Sequence, residues 1–148
     1  MVQEITFVRE LPGFKELKSF TLDVNEDNAP FANLQSSEQE KVGFIVANPF
    51  HFFPDYQVDL PEDIVSDLQI ASTEHVRLWG IITYRSSLMQ STMNLQAPIV
   101  VNIQNGQAAQ VIFSDSQYQI RQPLLPAGLN QEQVQGGTED ACVNAKKG

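Results

Sequence analysis

Asn48-Pro49-Phe50-His51-Phe52-Phe53-Pro54-Asp55-Tyr56 places four aromatic residues within seven positions, three of them between two prolines. Each proline fixes its own φ and pushes the residue before it out of the helical region. The stretch therefore reads as a rigid, greasy corner rather than as part of a long helix. Upstream, residues 42–47 (Val-Gly-Phe-Ile-Val-Ala) are nearly all apolar, as expected of a strand buried on both faces. Downstream, Tyr56, Val58 and Leu60 alternate with polar residues, the period of a half-buried strand. Two short strands meeting at an aromatic corner point to a β-protein, and nothing in the corner has the form of a catalytic motif.

The same pattern continues outward. Residues 2–8 alternate weakly, and Leu11-Pro12-Gly13-Phe14 is a turn, with proline presetting one φ and glycine permitting a positive one. Phe20, Leu22 and Val24 face one way, with Thr21 and Asp23 facing the other. Residues 25–30 read as a loop and 31–35 as a strand. Further strands are expected over 76–84, 92–95, 98–103, 108–113 and 118–124. Asn105-Gly106 between two of them is a hairpin signal, because both central residues of a type I′ turn need φ > 0. One short helix is expected near 61–69. Pro61 suits a first helical turn, Glu62 and Asp63 favour the positive end of the helix dipole, and Ile64, Val65 and Leu68 form an apolar face. About eight or nine short strands with a single short helix indicate an all-β sandwich or barrel.

At 148 residues the chain is long enough to bury roughly 68–70% of its unfolded surface in one domain. That domain is expected over 1–125. Residues 126–148 are rich in Gln, Gly and Asn and are read as a disordered polar tail. The only cysteine, Cys142, lies in that tail, so no internal disulfide can form, which fits a reducing cytosol. No apolar run approaches 18 residues and the N-terminus lacks signal-peptide character, so neither a membrane span nor export is expected. Eighteen acids against nine bases give a net charge of −9, which argues against direct nucleic-acid binding, since phosphate recognition needs clustered cations.

Catalytic and metal-binding patterns are missing. Two histidines, His51 and His75, offer no ligand spacing. Ser86 and Ser87 lack the turn of a serine nucleophile, and no glycine-rich phosphate loop occurs. No cofactor or metal is implied, and the chain does not read as an enzyme. Charge distribution is more informative. Between Lys41 and Arg77 there is no lysine or arginine, while Asp55, Asp59, Glu62, Asp63, Asp67 and Glu74 fall in that window. Such a run is either an ordinary solvated face or a negative patch that steers a basic partner. Phe50, Phe52 and Phe53 adjoin it, and at least one of them belongs in the core, because three exposed phenylalanines invite aggregation. An aromatic centre with an acidic rim suits a protein interface.

The corner at 48–56 resembles the FliW family of flagellar assembly factors. So do residues 92–102 (Thr-Met-Asn-Leu-Gln-Ala-Pro-Ile-Val-Val-Asn), Gln110-Val111-Ile112, residues 118–124 (Tyr-Gln-Ile-Arg-Gln-Pro-Leu), Leu11-Pro12-Gly13-Phe14 and residues 31–36. The pieces stand in the family's order over residues 5–124. The resemblance implies a mainly β fold, a compact antiparallel β-barrel. It implies a cytoplasmic adaptor that binds flagellin and CsrA, a small dimeric RNA-binding translational repressor. In the family, free FliW relieves repression of flagellin synthesis without occupying the RNA site, and accumulating flagellin sequesters FliW. Members of the family commonly carry a strand before the segment matching residues 5–7, so either an open barrel edge or a sequence short of that strand is expected here. Binding is placed on Phe50, Phe52, Phe53, Asp55, Asp59, Glu62, Asp63 and Asp67. Asn48, Pro49, Asn94, Pro98 and Asn102 are assigned to architecture, with Asn94 bonding local backbone at a bend and Pro98 starting a strand. The competing reading is a small-ligand-binding β-barrel with an apolar pocket in its mouth.

Overall fold

The computed structural model of the chain describes residues 2–113 and 117–124. Its strands are β1 (Val2–Phe7), β2 (Ser19–Val24), β3 (Phe31–Ser36), β4 (Gly43–Ala47), β5 (Val76–Arg85), β6 (Ser87–Met93), β7 (Ile99–Asn102), β8 (Gln107–Gln110) and β9 (Gln122–Pro123). β1 to β4 form an antiparallel meander. β4 then meets β5 at Val46 and Ala47, β5 pairs with β7, and β7 with β8, all antiparallel. β8 returns to β1 through Thr6 and Phe7, closing a seven-stranded barrel. This last seam is parallel, so the barrel is mixed rather than wholly antiparallel. It is also short, and the β8 ladder does not reach residues 2–5 of β1.

β5 belongs to two structures. Its first part lies in the barrel wall, while Ile82 to Arg85 leaves the barrel and pairs with β6, on which β9 adds a last short rung. The departure point is Gly80, which is buried and lies under Met93; a Cβ there would overlap the Met93 side chain. Close approach of another chain segment is a recurring use of glycine within a strand.

Alternation is legible in the core. Phe20 and Leu22 of β2 are buried with Ile5 and Phe7 of β1, Leu34 of β3 and Val46 of β4, and the Phe7 and Phe20 rings meet edge-on at 5.2 Å. Two other clusters lie outside the barrel. One joins Ile64 and Leu68 to the outer side of β7 and β8 through Val100 and Ala109. The other packs Phe52 and Tyr56 against Ile82, Met93, Leu95 and Leu124.

Several expectations are corrected. β4 is not buried on both faces, since Ile45 is 41% exposed. That role belongs to β7, all four of whose residues are buried. Ile99 and Val101 pack in the barrel and Val100 under the outer layer. No strand forms over 56–60; the segment is irregular. Of the strand expected over 118–124, only Gln122–Pro123 pairs. The Asn105-Gly106 hairpin forms, but with Gly106 alone at positive φ (76°). The loop is closed by Gly106 N donating to Asn102 O at 2.8 Å, a longer connection than a two-residue type I′ turn. The aromatic corner is itself a helix, α1 (Pro49–Phe52), besides the expected one, α2 (Glu62–Asp67). The turn at Leu11 is present, with Phe14 N donating to Leu11 O at 2.8 Å and Gly13 at φ 84°. The polar tail and Cys142 lie outside the described residues.

Candidate functional site

α1 is one turn long, and its sequence explains its start. Asn48 is extended and its Oδ1 accepts from Phe50 N at 2.9 Å, the usual capping geometry. Pro49 occupies the first helical position, where its missing N–H does no harm, and it is buried. The turn sends its rings in different directions. Phe52 is buried against Phe31, ring centroids 5.8 Å apart. Phe53 is half-buried on the same cluster. Phe50 is 41% exposed and leans on Tyr56. Tyr56 anchors the corner: its hydroxyl donates to Leu95 O at 2.7 Å and its ring meets Tyr118 edge-on at 4.7 Å. Burial, reinforced by Tyr118, raises the Tyr56 pKa above its ordinary value, so it stays a neutral donor.

α2 is held at both ends. Arg9, just beyond β1, bonds Asp63 Oδ2 at 2.8 Å and Asp67 Oδ2 through Nε at 2.9 Å. Bonding to the guanidinium holds the Asp63 carboxyl below its ordinary range. At the other end, helix carbonyls lack partners within the helix. Asn102 Nδ2 donates to Leu68 O at 2.8 Å and Gln69 O at 3.1 Å, and Asn105 Nδ2 adds a bond to Leu68 O at 3.1 Å. Asn102 Oδ1 accepts from Gln104 N at 3.0 Å, and the residue is completely buried. One asparagine thus ties the end of α2 to the end of β7 and its hairpin.

Between α1, α2 and the first half of β5 lies a surface groove of about 740 Å³. Phe50, Leu60, Val65, Ile70, Leu78 and Trp79 supply its apolar surface, and Asp59 and Arg77 line it as well. The Arg77 guanidinium donates to the Glu74 and Val76 carbonyls, each at 3.0 Å. Exposed Asp55, Glu62 and Glu74 sit on the segments that build the groove. Apolar walls with a mostly acidic surround can bury a partner's apolar side chain and attract its cations.

The structure divides the residues singled out in the sequence. Phe50 and Asp59 line the groove with Asn48. Phe52 and Phe53 do not line it and pack instead with Tyr56, Ile82, Met93 and Leu95. Asp55 and Glu62 are exposed, and Asp63 and Asp67 are engaged by Arg9. Asn94 Oδ1 accepts from Gln96 N at 3.1 Å and Ala97 N at 2.9 Å, bending the chain into β7. Pro98 is buried just ahead of that strand, its carbonyl accepting from Val111 N at 3.0 Å. Sequence reasoning missed Arg9, because it lies 54 and 58 residues from the acids it binds. It missed Trp79 and Arg77 too, since β5 carries no local sign that α2 will face it. The interior that a ligand-binding barrel needs hollow is filled by Phe7, Phe20, Leu34, Val46 and their neighbours.

Residues 2–124 match the family model described as FliW protein. A flagellar assembly factor FliW of Bacillus licheniformis is 45% identical over 82% of this chain and 85% of its own length. That of Clostridium beijerinckii is 42% identical over 82% and 86%. The crystal structure of a flagellar assembly factor FliW superposes with a TM-score of 0.80 at 36% identity, covering 85% of this chain and 88% of that one. The chain belongs to the FliW family, whose members are flagellar assembly factors rather than enzymes.

Proposed function

We propose that the protein is a cytoplasmic partner switch that binds flagellin and CsrA and relieves repression of flagellin synthesis, and that partners dock at the groove beside α1 and α2. The observation that carries the docking site is an open apolar groove, with exposed Phe50 at its edge and Asp59 in its lining. The acids Asp55, Glu62 and Glu74 stand on the surrounding segments. A repressor that binds RNA must present cations, and this surface is their electrostatic complement. Bound there, a chain of net charge −9 also repels RNA from the nearby repressor surface, over a range of about 8 Å at physiological salt. Antagonism then needs no occupation of the RNA site.

Calorimetric titration of the purified protein with CsrA and with flagellin tests this reading. Saturable binding to each is expected, with prior loading by flagellin reducing CsrA binding. Absence of binding to both contradicts it. No comparable observation favours the ligand-binding barrel, because the large concavity opens on the surface, outside the filled barrel.

A further inference from the structure

A second concavity, of about 500 Å³, is lined by β2, β3, β4 and the far part of β5. Its floor is the outer face of β2, β3 and β4, where Asp23 stands opposite Asn33 and Asn33 opposite Ile45. One wall is the part of β5 that has left the barrel, carrying Ile82 and Tyr84. The other is the loop holding Asn25 and Asp27. Ile45 is 41% exposed and Tyr84 57%, so the hollow presents an aliphatic and an aromatic side chain to water. Asp23 and Asp27 are its charged lining residues, and no lysine or arginine lines it.

The two concavities are joined through α1. Phe50 lines the first. Phe31 lines the second and packs on Phe52 of the same helical turn, at 5.8 Å. α1 therefore touches both hollows, the first through exposed Phe50 and the second through buried Phe52 against Phe31, and each hollow has apolar surface and aspartate in its lining. A stable complex buries about 800 Å² on each partner, a footprint that spreads well beyond a single small groove. We infer that the docking face continues past α1 into the second hollow. A basic partner reaches both hollows and places a lysine or arginine, flanked by an apolar side chain, against Asp23, Asp27, Ile45 and Tyr84. This rests on the proposed binding of CsrA, the basic partner of the pair, and adds a contact surface to it.

The test compares CsrA and flagellin binding by the wild-type chain, by an Asp23→Lys/Asp27→Lys variant and by Tyr84→Ser. Circular dichroism melts check that each variant folds. All three positions are exposed, and Tyr84→Ser keeps the test open if the double variant does not fold. Each folded variant is expected to bind CsrA roughly tenfold more weakly or worse, the size of loss typical of a well-placed interface residue. The charge variant should also have a shallower salt dependence. If wild type binds CsrA and both variants match it within about twofold, the second hollow is not part of the face, while the first groove stands. Loss of flagellin binding with CsrA binding intact assigns the hollow to the other partner and overturns the inference. Failure of wild type to bind CsrA removes the underlying reading, and this inference with it.

Discussion

Asn102 is the residue on which the position of α2 depends most. Its amide nitrogen bonds two carbonyls at the helix end, its amide oxygen takes a hairpin N–H, and no water reaches it. Asn102→Ala leaves buried backbone groups without partners and should lower unfolding free energy by about 2–3 kcal/mol, read from urea denaturation. Asn102→Asp should cost more than alanine, because a carboxylate cannot donate and would face two carbonyl oxygens. If aspartate were the milder change, the bonding pattern would be wrong. At Gly80, alanine should cost about 1–3 kcal/mol in the same assay, because the added methyl collides with completely buried Met93. Both residues are visible in the sequence, and Asn102 stood out beside Asn94 and Pro98. Their partners were not visible, because Leu68 lies 34 residues away and its packing over β7 leaves no local signature.

At the scale of elements, α2 was legible and α1 was not. Proline, two acids and an apolar stripe announce a helix over 61–69, and Glu62–Asp67 forms it. α1 has four residues, too few for a 3.6-residue period to register, and Asn48-Pro49 is its sole mark. The acidic window holds no lysine or arginine of its own, but Arg9 arrives from the barrel to hold two of its acids. This clamp has a defined pH response. The Asp63 pKa is lowered in the folded chain, chiefly by its bond to Arg9, so its contribution is complete above the ordinary value of 3.8. That contribution is lost as pH falls through the lower native value. Amide exchange at Ile64 and Leu68, corrected for intrinsic chemistry, should stay flat down to about pH 4 and accelerate below it. Arg9→Ala should loosen α2 already at neutral pH and abolish the acid-dependent step. An unchanged acid response in that variant would mean that Arg9 does not hold α2.

For the whole molecule, a barrel of short strands was legible in the alternation and the family resemblance. The parallel β1–β8 seam that closes it was not, since two strands about a hundred residues apart, Thr6 and Gln107 among their partners, carry no mark of direction. Nor could the sequence show that α1 touches two concavities, through Phe50 and through Phe52 against Phe31. What survives from the charge pattern is a negative surface around apolar hollows, now centred on Asp55, Asp59, Glu62 and Glu74 rather than on the acids Arg9 neutralises. CsrA affinity should therefore depend on those free acids and on ionic strength. The deciding measurement is the CsrA dissociation constant of the wild type and of Asp59→Lys/Glu62→Lys at a series of salt concentrations. Charge reversal is expected to weaken binding roughly tenfold or more at low salt and to flatten its salt dependence. Wild-type affinity and wild-type slope in the charge-reversed protein would contradict it.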